Sequence, residues 1–147
     1  MQRLANLLSA FLVLLFVSGQ VADAQQMENG RDHQPGEGMI CLFGVLVIAT
    51  EVGDRCFPST DAEIHSELHK SVARFERFIL DNSKTTRADL ENFKKTQGHV
   101  GASEEFLCKG DPLRFYEAIK QGGPEQLRRS TEEEVSRPGA PTWGTCF

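Results

Sequence analysis

The chain holds one tryptophan and one tyrosine, and no two of its four cysteines stand in C-x-x-C spacing. That spacing frames most structural zinc sites and thioredoxin-like redox centres, so both are set aside. Lysine and arginine nowhere cluster, and 21 acidic against 16 basic residues leave a formal charge of −5. Nucleic acid and anionic membrane surfaces demand a positive footprint, so neither is an expected partner. Also missing are G-x-S-x-G, a P-loop, G-x-G-x-x-G and an adjacent His-Asp pair. With every cysteine expected in a disulfide, no thiol nucleophile remains. Most marked routes to enzymatic chemistry are closed, and no cofactor is expected.

The N-terminus carries the three parts of a secretory signal peptide. Met1-Gln2-Arg3 is a short positive start, Leu4 to Val17 is apolar apart from Asn6 and Ser9, and Ala22-Asp23-Ala24 supplies small residues before a cut. Removal of 1–24 leaves 123 of the 147 residues. The apolar stretch falls short of the roughly 20 residues a spanning helix needs, so no membrane span is expected after cleavage. The expected location is secreted or periplasmic. Cys41, Cys56, Cys108 and Cys146 all lie in the mature part. An even number, export and small size together imply two disulfides.

Residues 25–38 (QQMENGRDHQPGEG) hold one apolar residue and read as a disordered tail. Residues 39–147 then read as a single all-α domain, a small irregular bundle of about five helices stapled by the disulfides. Met39 to Val52 is the most apolar mature stretch. A buried central helix, closed by Gly53 at C′, is favoured over a buried strand because the chain downstream offers no partner strand. Thr60-Asp61-Ala62-Glu63 reads as a capping box, with Thr60 the cap. Behind it Ile64, Leu68, Val72, Phe75 and Ile79 make one apolar stripe. Thr85 or Thr86 opens a third helix, closed near Gly98. Ser103 to Cys108 makes a short turn. Asp111-Pro112 starts a helix that ends at Gly122-Gly123, and Pro124 starts a last one that breaks before Pro138.

Helical geometry restricts the disulfide pairing. Cys41 and Cys56 would sit at opposite ends of the first helix, roughly 20 Å apart. A disulfide holds its Cα atoms about 5.5 Å apart, so these two cannot pair. The second helix leaves Cys56 and the third returns towards it, favouring Cys56–Cys108 with Cys41–Cys146. The alternative is Cys41–Cys108 with Cys56–Cys146.

Three groups of residues could carry a function. His65 and His69, one helical turn apart, could chelate a divalent cation if a third ligand such as His99 joined them. The plain reading is two histidines at the polar edge of an amphipathic helix, so no metal is expected. Glu51, flanked by Ile48, Ala49 and Val52, could become a general acid if burial raised its pKa and a second carboxylate such as Asp54 faced it. The plain reading is a helix-end Glu paired with Arg55. Trp143, beside Cys146, could anchor a partner or pack as a lid on the core. Glu132-Glu133-Glu134 reads as a solvated helix face.

Residues 41–58, an apolar helix between two cysteines ending in Cys56-Phe57-Pro58, resemble the start of periplasmic immunity proteins that neutralise peptidoglycan-cleaving amidase toxins. The resemblance covers about one seventh of the mature chain. The third and fourth cysteines and the loop 98–101 have no counterpart in it. The sequence therefore points first to a secreted or periplasmic non-enzymatic binding protein, its protein or small-molecule ligand held in a groove or loop of a rigid bundle. A cell-wall-directed hydrolase using Glu51 is the second reading. A periplasmic immunity protein or stress chaperone is the third.

Overall fold

Among the described residues five helices build the fold, four of them around one that is almost wholly enclosed. A computed structural model describes residues 34–144; the expected signal peptide 1–24, most of the expected tail and Cys146 lie outside them. The helices are α1 (Met39–Cys56), α2 (Ala62–Asn82), α3 (Arg87–Gln97), α4 (Glu104–Lys109) and α5 (Asp111–Ser136). No strand occurs among the described residues, so the all-α expectation stands.

Helix α1 buries residues on nearly every side: Met39, Phe43, Leu46, Val47, Ile48, Ala49 and Val52. An element apolar all round must be surrounded to be stable, and α1 touches each of the four other helices. Its Phe43 ring stacks on Phe93 of α3 at 5.3 Å between centroids. Helix α2 supplies the stripe expected of it, with Ile64, Leu68, Phe75 and Ile79 buried and Val72 partly so. Ion pairing of Lys94 with Glu76 at 2.5 Å ties α3 to α2.

Two helix ends depart from the sequence reading. Gly53 does not end α1; the helix continues to Cys56, and the Phe57 N–H donates to the Gly53 carbonyl at 3.0 Å. Gly53 is needed for a different reason. A Cβ there would lie 3.1 Å from both His65 Nε2 and Tyr116 Cε2, tighter than side chains normally approach. The capping box at Thr60 is also absent. Asp61 takes the cap position of α2 in the left-handed region (φ 57°, ψ 33°), without a side-chain cap bond. Thr60 Oγ1 instead donates back to the Phe57 carbonyl at 3.4 Å. The third helix starts as expected: Thr86 Oγ1 accepts from Asp89 N–H at 3.2 Å while Asp89 Oδ2 accepts from Thr86 N–H at 2.8 Å.

The two ends of the described segment meet over the start of α1. Thr142 N–H donates to the Gly36 carbonyl at 2.9 Å, and Ile40 N–H donates to the Thr142 carbonyl at 3.0 Å. Residues 34–38, placed by composition in the disordered tail, are thus held in a turn, and the C-terminal strap satisfies an orphan N–H of α1. Cys56 and Cys108 form a disulfide with Cα atoms 5.6 Å apart, joining the end of α1 to α4. At a sequence separation of 52, the chain-entropy model assigns such a bridge up to about 4 kcal/mol. Cys41 carries no free thiol; its expected partner Cys146 lies outside the described residues.

Helix α5 is broken in the middle, as its Gly-Gly-Pro sequence requires. It starts one residue earlier than expected, from a Gly110 cap. Gly123 has φ 80° and ψ 166°, and Pro124 follows it. That backbone region is open essentially to glycine alone. Nothing lies within 4 Å of where a Gly123 Cβ would sit, so the demand is conformational and not steric. Gly123→Ala should lower stability by about 1 to 3 kcal/mol, read as a fall in urea midpoint with an unchanged m-value. An unaltered midpoint would mean that the kink relaxes without cost.

Candidate functional site

The break at Gly123 lets the two halves of α5 diverge, and a groove of about 360 Å³ opens between them and α1. Its walls are Leu42, Val45 and Leu46 from α1, Phe75 from α2, and Ala118, Ile119 and Leu127 from α5. Gln126, Ser130 and Glu134 line it at intervals of four residues along the second half of α5. This spacing puts the three on one side of a helix. Thr131 also lines the groove, but its hydroxyl donates to main-chain carbonyls and pairs with Ser71 of α2 at 3.3 Å. The volume falls within the range of about 300 to 1,000 Å³ found for small-molecule sites. None of the residues singled out from sequence as catalytic, metal-binding or partner-binding lines this groove. The expected solvated run 132–134 does contribute Glu134 to it, while Glu132 reaches Arg74 of α2 at 3.6 Å.

A second polar constellation sits where α1, α2 and α5 converge. Tyr116 is fully buried, stacked on Phe57 at 5.0 Å, with the edge of His65 against it. Its hydroxyl donates to Asp61 Oδ2 at 3.1 Å, and Lys120 Nζ donates to the same oxygen at 2.6 Å. A phenol has one proton to give. His65 Nε2, 3.1 Å from the Tyr116 oxygen, must therefore be the donor in that contact. The chain runs from imidazole to phenol to carboxylate, with Lys120 balancing the charge. The hydrogen bond from Lys120 holds the Asp61 carboxyl below its usual range against the cost of burial, with Tyr116 and His65 adding to the effect. Burial, then the hydrogen bond to Asp61 and its charge, push the Tyr116 phenol well above its ordinary value. A buried phenol that gives its proton to Asp61 and accepts from His65 offers no face to a substrate. The constellation is an anchor that fixes the left-handed Asp61 and so the start of α2.

The residues expected to carry chemistry are each occupied separately. His65 is taken by Tyr116, whereas exposed His69 bonds Asp54 Oδ1 at 3.0 Å. The His99 ring lies tilted against Phe106, 4.8 Å between centroids. No group of three metal-ligating side chains occurs among the described residues. Glu51 pairs with Arg55 at 3.5 Å, and Arg55 also donates to the Ala102 carbonyl at 3.0 Å. Glu91 lines the same shallow cleft as Glu51 but is held by Lys94 at 2.8 Å. That hydrogen bond and charge lower the Glu91 pKa, the reverse of what a general acid needs. Trp143 is 57% exposed and rests on Phe93 at 5.9 Å, the outer member of the row Phe43, Phe93, Trp143.

Comparison with models of known protein families, with curated proteins and with solved structures finds no match to this chain. The likeness of residues 41–58 to immunity proteins therefore rests on those residues alone.

The tyrosine anchor makes a clean spectroscopic prediction, because Tyr116 is the chain's one tyrosine. Its pKa is raised by folding. Its contribution to stability is therefore full below the unfolded value of about 10 and is lost as pH rises through the folded value. Asp61 runs the other way: its depressed pKa contributes above an unfolded value of 3.8 and fades as pH falls through the folded one. Tyrosinate absorbance at 295 nm should rise only together with loss of the helical signal, never before it. A phenol titrating near pH 10 with the helices intact would show that Tyr116 is accessible.

Proposed function

We propose that this protein is an exported, non-enzymatic binding protein, and that its ligand site is the groove between α1 and the two halves of α5. The observation that carries the reading is the groove itself, a largely apolar concavity of about 360 Å³ with polar groups along one edge. Surface of that kind is costly to leave wet unless something occupies it. Against a hydrolase stands the pairing of each candidate carboxylate with a cation or a histidine: Glu51 with Arg55, Glu91 with Lys94, Asp54 with His69. A binding protein needs none of them free.

Export is supported by the signal-like N-terminus and by the Cys56–Cys108 disulfide, a bond that persists in oxidising compartments. The second bridge of this reading joins Cys41 to Cys146. The secreted protein should then have the intact mass of residues 25–147 less four hydrogens, and non-reducing peptide maps should link Cys41 to Cys146. Retention of Met1, or a free thiol, would count against export and pairing respectively.

The groove is tested with Nile red, a neutral apolar fluorophore. One dye per chain should bind the native protein with enhanced emission. Ala118→Trp, which adds bulk into the groove from an exposed position on α5, should abolish it while the helical signal is kept. Absent or non-stoichiometric binding, or binding indifferent to that substitution, overturns this assignment.

A further inference from the structure

We propose that the groove takes an amphiphile with a slender apolar body and a cationic head, an alkylammonium and not an alkyl carboxylate, with the head at Glu134. This rests on the groove being the ligand site. The charge of its lining decides the head group. Glu134 is the one ionisable residue that lines it, and no lysine or arginine does. Arg128 and Arg129 on the same half-helix are engaged elsewhere: Arg128 with Glu125 at 2.6 Å and Glu132 at 3.2 Å, Arg129 with Glu125 at 3.7 Å. A carboxylate head would therefore meet a carboxylate whose one counter-charge is the exposed Arg137, on a chain already at −5.

An ammonium meets the opposite situation. Glu134 has only Arg137, three residues on, at 3.6 Å, and both side chains are substantially exposed. Exposed pairs of this kind contribute little and exchange readily. The side chains of Ser130 and Gln126 make no hydrogen bond with any described residue, and each offers an oxygen as acceptor. An ammonium head at Glu134 has the Ser130 hydroxyl, one turn away on the same edge, as a second acceptor, while Gln126 lies two turns off, along the path of the body. The opposite wall, Leu42, Val45 and Leu46, offers an alkyl body nothing but carbon.

Decylammonium, decanol and decanoate, each below its micellar concentration, separate the head group from the body. Titrated calorimetrically into the oxidised secreted protein, decylammonium should bind about tenfold more tightly than decanoate, with decanol between them. Glu134→Gln should shrink that gap below about threefold. Glu133→Gln, which removes the same charge from an exposed neighbour, should leave it intact. Equal affinities, tighter decanoate, or a gap that Glu133→Gln and Glu134→Gln reduce alike would overturn the head-group assignment while the groove remains a ligand site. Failure of all three probes to bind would overturn the groove together with it.

Discussion

The enclosure of α1 is the constraint on which the rest of the fold depends. A helix with Phe43, Leu46, Val47, Ile48, Ala49 and Val52 spread round its circumference can leave little of its surface in water. At roughly 1.5 to 3 kcal/mol for each large side chain buried, this one element supplies a large share of the apolar driving force. The other four helices are what that surface recruits. Their own weaker faces, the stripe of α2 above all, are buried in doing so. The Cys56–Cys108 bridge and the strap at Thr142 then pin the two ends of α1, one covalently and one through the main chain.

Burying one helix so completely forces polar groups of its neighbours inwards, and the fold meets each with a partner. Tyr116 is the clearest case. It arrives against Gly53, where the missing Cβ makes room, and its hydroxyl is satisfied on both sides by His65 and Asp61. Between α2 and α5 the same rule applies to Ser71 with Thr131 and to Glu67 with Arg74, which also reaches Glu132. Leaving one such donor or acceptor alone would cost about 1 to 3 kcal/mol. These contacts fix the position of α5 along α2 more tightly than hydrophobic packing, which is not directional.

What could be read from the sequence was whatever depends on near neighbours in the chain. The apolar stripe of α2, the Thr86 cap, the Gly-Gly-Pro break and the exclusion of Cys41–Cys56 all follow from residues a few positions apart. What failed depended on distant ones. Thr60 and Glu63 carry a valid capping signal, yet Asp61 is drawn away by Tyr116 and Lys120, 55 and 59 positions downstream. Gly53 reads locally as a helix stop because a close approach by His65 and Tyr116 leaves no mark beside it. His65 and His69 look like a pair from spacing alone; their partners, on different elements, separate them. The groove was half legible: Gly122-Gly123 announced the bend in α5, but only the packing shows that α1 faces it.

The groove belongs to the native structure because the contacts that hold α5 also keep it from closing. Moving the second half of α5 towards Leu42 and Val45 would fill the space with its own apolar side chains, a change favoured by burial alone. The same movement would draw Thr131 from Ser71 and Glu132 from Arg74, leaving the buried Ser71 hydroxyl with only the long contact from Arg74 at 3.5 Å. A chain free to twist at Gly123 could compensate, but Pro124 fixes φ of the next residue near −65° and limits the turn. Directional hydrogen bonds on one side of α5 and a stiff joint at its middle therefore hold open a groove that hydrophobic collapse would erase. A ligand of the kind proposed would find the walls already placed, and its binding energy would not be spent on reshaping the protein.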